Sequence, residues 1–380
     1  MFGGSLPVTV AANWLTAAWD QNGGVRVGSP MTAELEDIVL DWLRDLLRLP
    51  PESAGALVTG ATMGNFTALA AARHSLLARL GWDVEAQGLF GAPPLRVVVG
   101  EEVHASMLKA LSMVGLGRER VVRVAVDDQG RIIAGALPSL DERTIVCIQA
   151  GNVNTGAFDP AHEICAAAHE SGAWVHVDGA FGLWARSSAA HSDLARGFGD
   201  ADSWSADAHK WLNVPYDSGI AFVRDSEALR AAMVASASYL VTSGGREPHH
   251  FTPEMSRRAR SIEIWAALKA LGRSGVAELI DRCCAHAQRM ARQLEAHGYS
   301  ILNDVVLNQV LVSFGDNELT RQTIAAVQED GICWCGGTDW KGRHAMRISI
   351  SCWATTEEDI DRSASAIDAA AEMVRSRTAV

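Results

Sequence analysis

Lys210 lies in the run SWSADAHKW (Ser203 to Trp211), and 32 positions upstream Asp178 closes the apolar segment of AWVHVDGAF. A primary amine can condense with an aldehyde, and a carboxylate set against a ring nitrogen keeps that nitrogen protonated. An opposite charge within a few ångströms favours the charged form by about 1–3 pKa units, each worth about 1.4 kcal/mol, so such a carboxylate would govern rate by orders of magnitude. Burial depresses a lysine's pKa and frees its amine for imine formation. These two groups are what pyridoxal phosphate chemistry requires. There the cofactor's ring draws in the electron pair released at an amino acid's α-carbon, while the protein supplies orientation and electrostatics. A His-Lys dipeptide alone is common, so the meaning of Lys210 depends on its neighbours in the chain.

Four further segments bear on it. VTGATMGN (Val58 to Asn65) runs directly into the helical FTALAAARHSLLARL, which places Thr59, Ala61 and Thr62 at a helix start. Amides converging there can bind a phosphate, although Gly-Thr turns also cap helices for structural reasons alone. His104, in EEVHASMLKAL, follows an expected strand, where its ring could stack on a flat cofactor or simply begin a helix. GNVNTGAFD (Gly151 to Asp159) follows the apolar TIVCIQA, so Asn154 and Thr155 emerge at the carboxyl end of a strand. Sheets with parallel strands place ligands there, and an ordinary polar turn is the alternative. Ala180 lies two residues past Asp178, on the same side of an extended chain. It is small enough to let a ring lie flat, or it merely fills core.

Positioning these groups calls for an α/β fold. Arg96 to Gly100, Val121 to Val126, Thr144 to Ala150, Ala173 to Asp178 and Gly219 to Arg224 read as strands. Asn65 to Leu80, His104 to Val114 and Ala161 to Ser171 read as the helices between them, and Pro30 to Leu49 as an amphipathic helix ahead of them. That alternation implies a mostly parallel sheet covered on both faces. Helices are expected over Glu254 to Gly272 and Val276 to His297, followed by strands at Ser300 to Asn303 and Gln309 to Phe314. A helix at Glu318 to Asp330, strands at Ile332 to Cys335 and Ala345 to Ser351, and a helix from Thr355 complete the pattern. The expected organisation is an amino-terminal segment over 1–49, a large cofactor domain over 50–276 and a smaller α/β domain over 277–380. Val241 to Pro253 is the least regular stretch and reads as a mobile loop.

The composition narrows the partners. With 33 Lys and Arg against 45 Asp and Glu, the net charge is −12, and no basic block or stripe invites nucleic acid. A small metabolite fits better. No secretory leader pattern opens the chain and no run approaches a membrane span, so a cytoplasmic protein is expected. Seven cysteines without CxxC spacing and twelve scattered histidines without HExxH spacing argue for reduced core thiols and no metal.

With VTGATMGN, EEVHAS, GNVNTGAFD, HVDGAF and SADAHKW in this order, the chain resembles the pyridoxal phosphate-dependent amino acid decarboxylases of the group that includes the aromatic L-amino acid, glutamate and cysteine sulfinate enzymes. The likeness runs from about Gly3 to the carboxyl terminus. It implies the aspartate-aminotransferase type of fold (fold type I) and an obligate homodimer with sites at the subunit interface. It implies Lys210 as the Schiff-base lysine, Asp178 as the pyridine partner, His104 stacked on the ring, Ala180 beneath it, and Ala61 with Thr62 on the phosphate. His209, Ser205 and Asp207 would help to position the cofactor.

Two departures stand out. Members of the group carry an additional amino-terminal helical segment that wraps the partner, then a loop lining the substrate pocket; Met1-Phe2-Gly3-Gly4 begins where that loop would be ending. A weaker dimer is expected as a result. The family's loop tyrosine, which protonates the carbanion after carbon dioxide leaves, is replaced here by Pro248, His249 and His250, the nearest tyrosine being Tyr239. A histidine could act as the acid. The expected activity is α-decarboxylation of an L-amino acid, with aromatic side chains favoured. Oxidative deamination or aldehyde synthesis on the same cofactor, and a catalytically silent homologue, are the alternatives. Arg257, Arg258 and Arg260 are expected to pair with nearby carboxylates, and Trp204, Trp211 and Trp334 to pack.

Overall fold

The computed structural model describes residues 3–235 and 245–378. Seven strands form the main sheet: β1 (Ala54–Val58), β2 (Arg96–Gly100), β3 (Val122–Val124), β4 (Thr144–Gln149), β5 (Trp174–Asp178), β6 (Ser203–Asp207) and β7 (Gly219–Val223). Their spatial order is β1-β7-β6-β5-β4-β2-β3, and only β7 runs against the others. A second, antiparallel sheet contains β8 (Ser300–Ile301), β9 (Gln309–Ser313), β10 (Gly336–Trp340) and β11 (Arg343–Ser349), in the order β10-β11-β9-β8.

Helices cover both faces of the large sheet. In chain order they are α1 (Pro7–Trp19), α2 (Pro30–Leu46), α3 (Ala61–Arg79), α4 (Val84–Gln87), α5 (Ala105–Met113), α6 (Ala161–Glu170), α7 (Ser226–Met233), α8 (Ser261–Ala296), α9 (Asn317–Asp330) and α10 (Glu357–Thr378). Alternate strand residues enter two separate cores, as period-2 geometry demands. Val97, Val99, Ile145, Cys147 and Trp174 pack toward α3 and α5, while Val98, Val146, Ile148, Val175 and Val177 pack toward α2, α6 and α8. This two-sided burial explains why these strands read as continuous apolar runs.

The expected strands at Arg96 to Gly100, Thr144 to Ala150 and Gly219 to Arg224 correspond to β2, β4 and β7 within a residue. β6 was not expected as a strand, because Ser203, Ser205 and Asp207 break its apolar pattern, yet all three are buried. Ile332 to Cys335, expected as a strand, is not one; the strand β10 begins at the next residue, Gly336, and Trp334 is 73% exposed rather than packed. The helices expected over Glu254 to Gly272 and Val276 to His297 form one element, α8, which starts only at Ser261, so that 254–260 is not helical, and which is interrupted at Gly272. There φ is 62°, a backbone conformation that glycine adopts at little cost. The boundary expected at 277 therefore falls inside α8. Five of the seven free cysteines are buried, and Cys333 and Cys352 are partly so. No helix among the described residues is long and apolar enough to cross a membrane.

Candidate active site

The carboxyl ends of β4, β5 and β6 meet the start of α3, and beside them opens a cavity of about 310 Å³. Its large-sheet side carries His104, Asp178, Ala180, Phe181 and Lys210, and its small-sheet side carries Gln309, Arg347 and Ser349. Four residues singled out from sequence are thus brought to one space. Lys210 follows β6 and sets its Nζ 2.9 Å from Oδ2 of Asp207. Asp178 closes β5; its Oδ1 accepts from the Ala180 amide at 3.2 Å and its Oδ2 from Nδ2 of Asn65 at 3.2 Å.

His104 is at once the N-cap of α5 and a cavity residue. Its Nδ1 accepts from the Ser106 amide at 3.2 Å, so the neutral ring carries its proton on Nε2. Burial holds its pKa below the ordinary histidine value; Asp178 opposes this, and Lys210 and Arg347 reinforce it.

Ala61 and Thr62 begin α3. Gly60 provides no side-chain cap, and the Ala61 amide donates to Oδ1 of Asp207 at 2.6 Å. The first helical amides lack intrahelical acceptors, and those of Thr62 and Met63 have no partner among the described residues. Their company with Asp207 depends on close backbone approach, since a Cβ on Gly219 would lie 2.3 Å from Gly60 Cα. His209 stacks on Tyr216 with ring centroids 4.2 Å apart, and its Nδ1 accepts from the Ser218 amide at 3.2 Å. Its Nε2 faces Asp207 Oδ1 at 3.4 Å, and burial lowers its pKa despite that carboxylate.

Two expected cofactor residues stand elsewhere. Ser205 lies beneath the cavity, its hydroxyl donating to Oδ1 of Asn65 at 2.5 Å. Asn154 turns away from the lining: its Oδ1 accepts from Thr338 of β10 at 3.1 Å, while its neighbours Gly151 and Val153 form the wall. Thr155 is likewise engaged, with the Gln129 carbonyl at 2.7 Å.

The replacement acids expected in the loop are not in the lining either. His249 is buried against Gly24, whose carbonyl lies 3.0 Å from its Nδ1, and His250 neighbours it in a short 3-10 turn. Tyr239 lies outside the described residues. The three nearby arginines pair as expected: Arg257 with Glu36 at 2.5 Å, Arg258 with Glu263, and Arg260 with Asp217 at 2.9 Å.

Sequence reasoning missed Arg347. It lies on β11, it is partly desolvated so that burial lowers its pKa, and it has no carboxylate partner among the described residues. The alternation in RISIS was the available signal, because Arg347 and Ser349 share one face of β11 and Gln309 stands opposite Ser349 on β9. It also missed Asn65 and His176, which lie under Asp178.

These residues fit pyridoxal phosphate. The unpartnered amides opening α3 suit a phosphate, the Asp178 carboxylate suits a protonated ring nitrogen, Ala180 leaves room for a flat ring, and Lys210 offers the amine. Comparisons with known proteins agree. Residues 2–315 match the family described as the pyridoxal-dependent decarboxylase conserved domain. The aromatic-L-amino-acid decarboxylase of Bacillus atrophaeus is 26% identical over 92% of this chain and 76% of its own length. The L-2,4-diaminobutyrate decarboxylase of Rhizobium meliloti is 27% identical over 94% of this chain and 72% of its own. The chain spans 58% of the acidic amino acid decarboxylase of Bos taurus, with 28% identity over 77% of this chain. In fold, Catharanthus roseus tryptophan decarboxylase in complex with L-tryptophan superposes with a TM-score of 0.86 at 20% identity, covering 98% of this chain and 83% of that one. An amine and a carboxylate in one cavity, with a phosphate-ready helix start nearby, in a chain matched across most of its length, have one consistent explanation: this chain belongs to the pyridoxal-dependent decarboxylases, carboxy-lyases whose cofactor is pyridoxal phosphate.

Proposed function

We propose that this chain removes the α-carboxylate of a neutral L-amino acid, with aromatic side chains preferred, and that the cavity between the two sheets is where it does so. The observation that carries this is the placement of Arg347 across the cavity from Lys210 and Asp178. Lys210 would hold the cofactor through its amine, Asp178 its ring nitrogen, and Ala61 and Thr62, with Asp207 and His209 behind them, its phosphate side. When bound, pyridoxal phosphate supplies an electron-accepting ring for the pair left at the α-carbon.

Arg347 binds the substrate carboxylate: a guanidinium already stripped of much water and lacking a protein carboxylate gains a bidentate partner. His104, in the same lining, would cover the cofactor ring and exclude water. Two lining atoms can deliver a proton to the α-carbon, Nε2 of His104 and Nζ of Lys210. Side-chain preference follows from charge. A second substrate carboxylate would need a second cation, and a side-chain ammonium a free carboxylate. Among the described lining residues the cations are Lys210 and Arg347 and the carboxylate is Asp178, all of which already have assignments. Phe181 and Val153 offer apolar surface instead.

A second copy is the expected partner. Trp14, Leu15 and Trp19 of α1 are 72%, 51% and 50% exposed, more apolar surface than a lone helix face gains from showing to water. Carbon dioxide release from a panel of aromatic, acidic and diamino acids tests the activity, and amine, aldehyde and peroxide measured in the same incubation separate decarboxylation from oxygen-dependent aldehyde formation. Carbon dioxide from acidic substrates alone would overturn the side-chain preference.

A further inference from the structure

Beneath the cavity, a row of buried polar side chains runs away from Asp178 through the interior. Nε1 of Trp174 lies 2.9 Å from Oγ of Ser203, Oγ of Ser203 lies 2.9 Å from Nδ1 of His176, and Nε2 of His176 lies 3.0 Å from Oδ1 of Asn65. Nδ2 of Asn65 completes the row at Oδ2 of Asp178. All five residues are buried, His176, Ser203 and Asn65 completely so. The strands make this arrangement automatically: His176 and Asp178 share one face of β5, Ser203 and Ser205 share that face of β6, and the register pairs His176 with Ser203 and Asp178 with Ser205. Gly64 lets α3 come close enough for Asn65 to reach them, since a Cβ there would meet the Ser205 Cβ and the Ile220 carbonyl oxygen at 2.9 Å.

The direction of the bonds is set from the Asp178 end. A carboxylate only accepts, so the Asn65 amide nitrogen faces it and Oδ1 of Asn65 takes the Ser205 hydroxyl and a proton from Nε2 of His176. The neutral imidazole then has a bare Nδ1, which accepts the Ser203 hydroxyl proton, while Ser203 accepts from the indole N–H of Trp174. The reverse polarity would set the amide oxygen against a carboxylate and leave a repulsive contact in a dry interior.

We propose that Asn65 and His176 are positioning residues for the cofactor: the relay from Trp174 through them fixes the Asp178 carboxylate in place and aims it at the ring nitrogen, so that the geometry of that pairing is set from the layer below the cavity. The proposal rests on the assignment of Asp178 given above. Asp178 is faced by His104 and Lys210 from the cavity, by Cys147 from β4 and by His176 from its own strand; of these, only His176 belongs to the relay.

The relay makes a prediction that needs no cofactor. In nitrogen-15 spectra of the apoprotein, the imidazole of His176, assigned by its loss in His176→Gln, should be the neutral tautomer with its proton on Nε2. A proton on Nδ1 overturns the proposal. In the cofactor-loaded protein, Asn65→Ser and His176→Leu should weaken cofactor retention about tenfold. They should also lower kcat more than they raise KM, and move the pH midpoint of the visible cofactor band. His176→Gln, whose amide can accept from Ser203 and donate to Asn65, should restore most of the band and of kcat. If His176→Gln is as impaired as His176→Leu while both melt like the parent, packing and not hydrogen bonding is responsible, and the proposal fails. If the parent protein shows no visible band and Asp178→Asn changes nothing, the assignment of Asp178 fails instead, whichever tautomer the spectra show.

Discussion

The floor of the cavity and its far wall are built in opposite ways. On the floor, β5, β6 and α3 bind Asp178 to Asn65 and Ala180, Asp207 to Ala61 and Lys210, and His176 to Ser203 and Asn65. On the wall, Arg347 reaches from β11 with one side-chain hydrogen bond among the described residues, to the Val153 carbonyl at 3.3 Å, and Gln309 and Ser349 bond mainly to one another at 2.6 Å. The contrast suits the proposed roles: groups proposed to stay rigid against a permanent cofactor are over-determined by their neighbours, and the group proposed to meet a transient substrate keeps donors unspent.

The largest test of this contrast is on the floor. Lys210→Ala should abolish covalent cofactor attachment, seen as loss of the visible band, and reduce carbon dioxide release by several orders of magnitude. Asp178→Asn should retain the cofactor while slowing turnover about 10- to 1000-fold, from the loss of about 1–3 pKa units of ring stabilisation. On the wall, Arg347→Ala should leave the band intact and raise KM for the amino acid about 10- to 100-fold. That is the effect of losing a charge-assisted bond of about 1.5–3 kcal/mol. Binding of the product amine, which has no carboxylate, should be unchanged in a spectral titration. If amine binding weakened equally, Arg347 would be shaping the cavity and not gripping a carboxylate.

A smaller effect concerns acid stability. Burial holds His176 neutral with a pKa pushed down to about 4, whereas the unfolded chain takes up that proton near pH 6.5. The stability it contributes is present above that unfolded value and declines as pH falls toward the folded one, by about 3 kcal/mol in all. Urea unfolding at pH 7 and pH 4.5 should therefore show a smaller acid penalty in His176→Gln than in the parent. Smallest of all, Asn154→Ala should change cofactor retention less than twofold in equilibrium dialysis, because Asn154 is committed to Thr338 outside the lining.

Legibility differed between these regions for a physical reason. Floor residues occupy consecutive positions at strand ends and a helix start, so VTGATMGN, HVDGAF and SADAHKW each deliver several of them at once. Even there, β6 was obscured, because buried serines and an aspartate do not follow an apolar period. His104 reads from sequence as either a ring stacked on a cofactor or a plain helix start; the structure makes it the cap of α5 and also places it in the cavity lining. The histidines before Arg257 were less informative: their composition suited an acid, but His249 spends its Nδ1 on Gly24.

From residue order alone came the α/β class with a mostly parallel sheet, the amine and carboxylate pair, the phosphate-ready helix start and the family resemblance, since each depends on local spacing or backbone period. Tertiary structure decided that Arg347 crosses from the small sheet into the cavity, that Asn154 leaves it, and that Asn65 on α3 meets His176 and Asp178 on β5. Those contacts join residues more than a hundred positions apart, through strand register and the close approach of helix to sheet at Gly64, which no local pattern encodes.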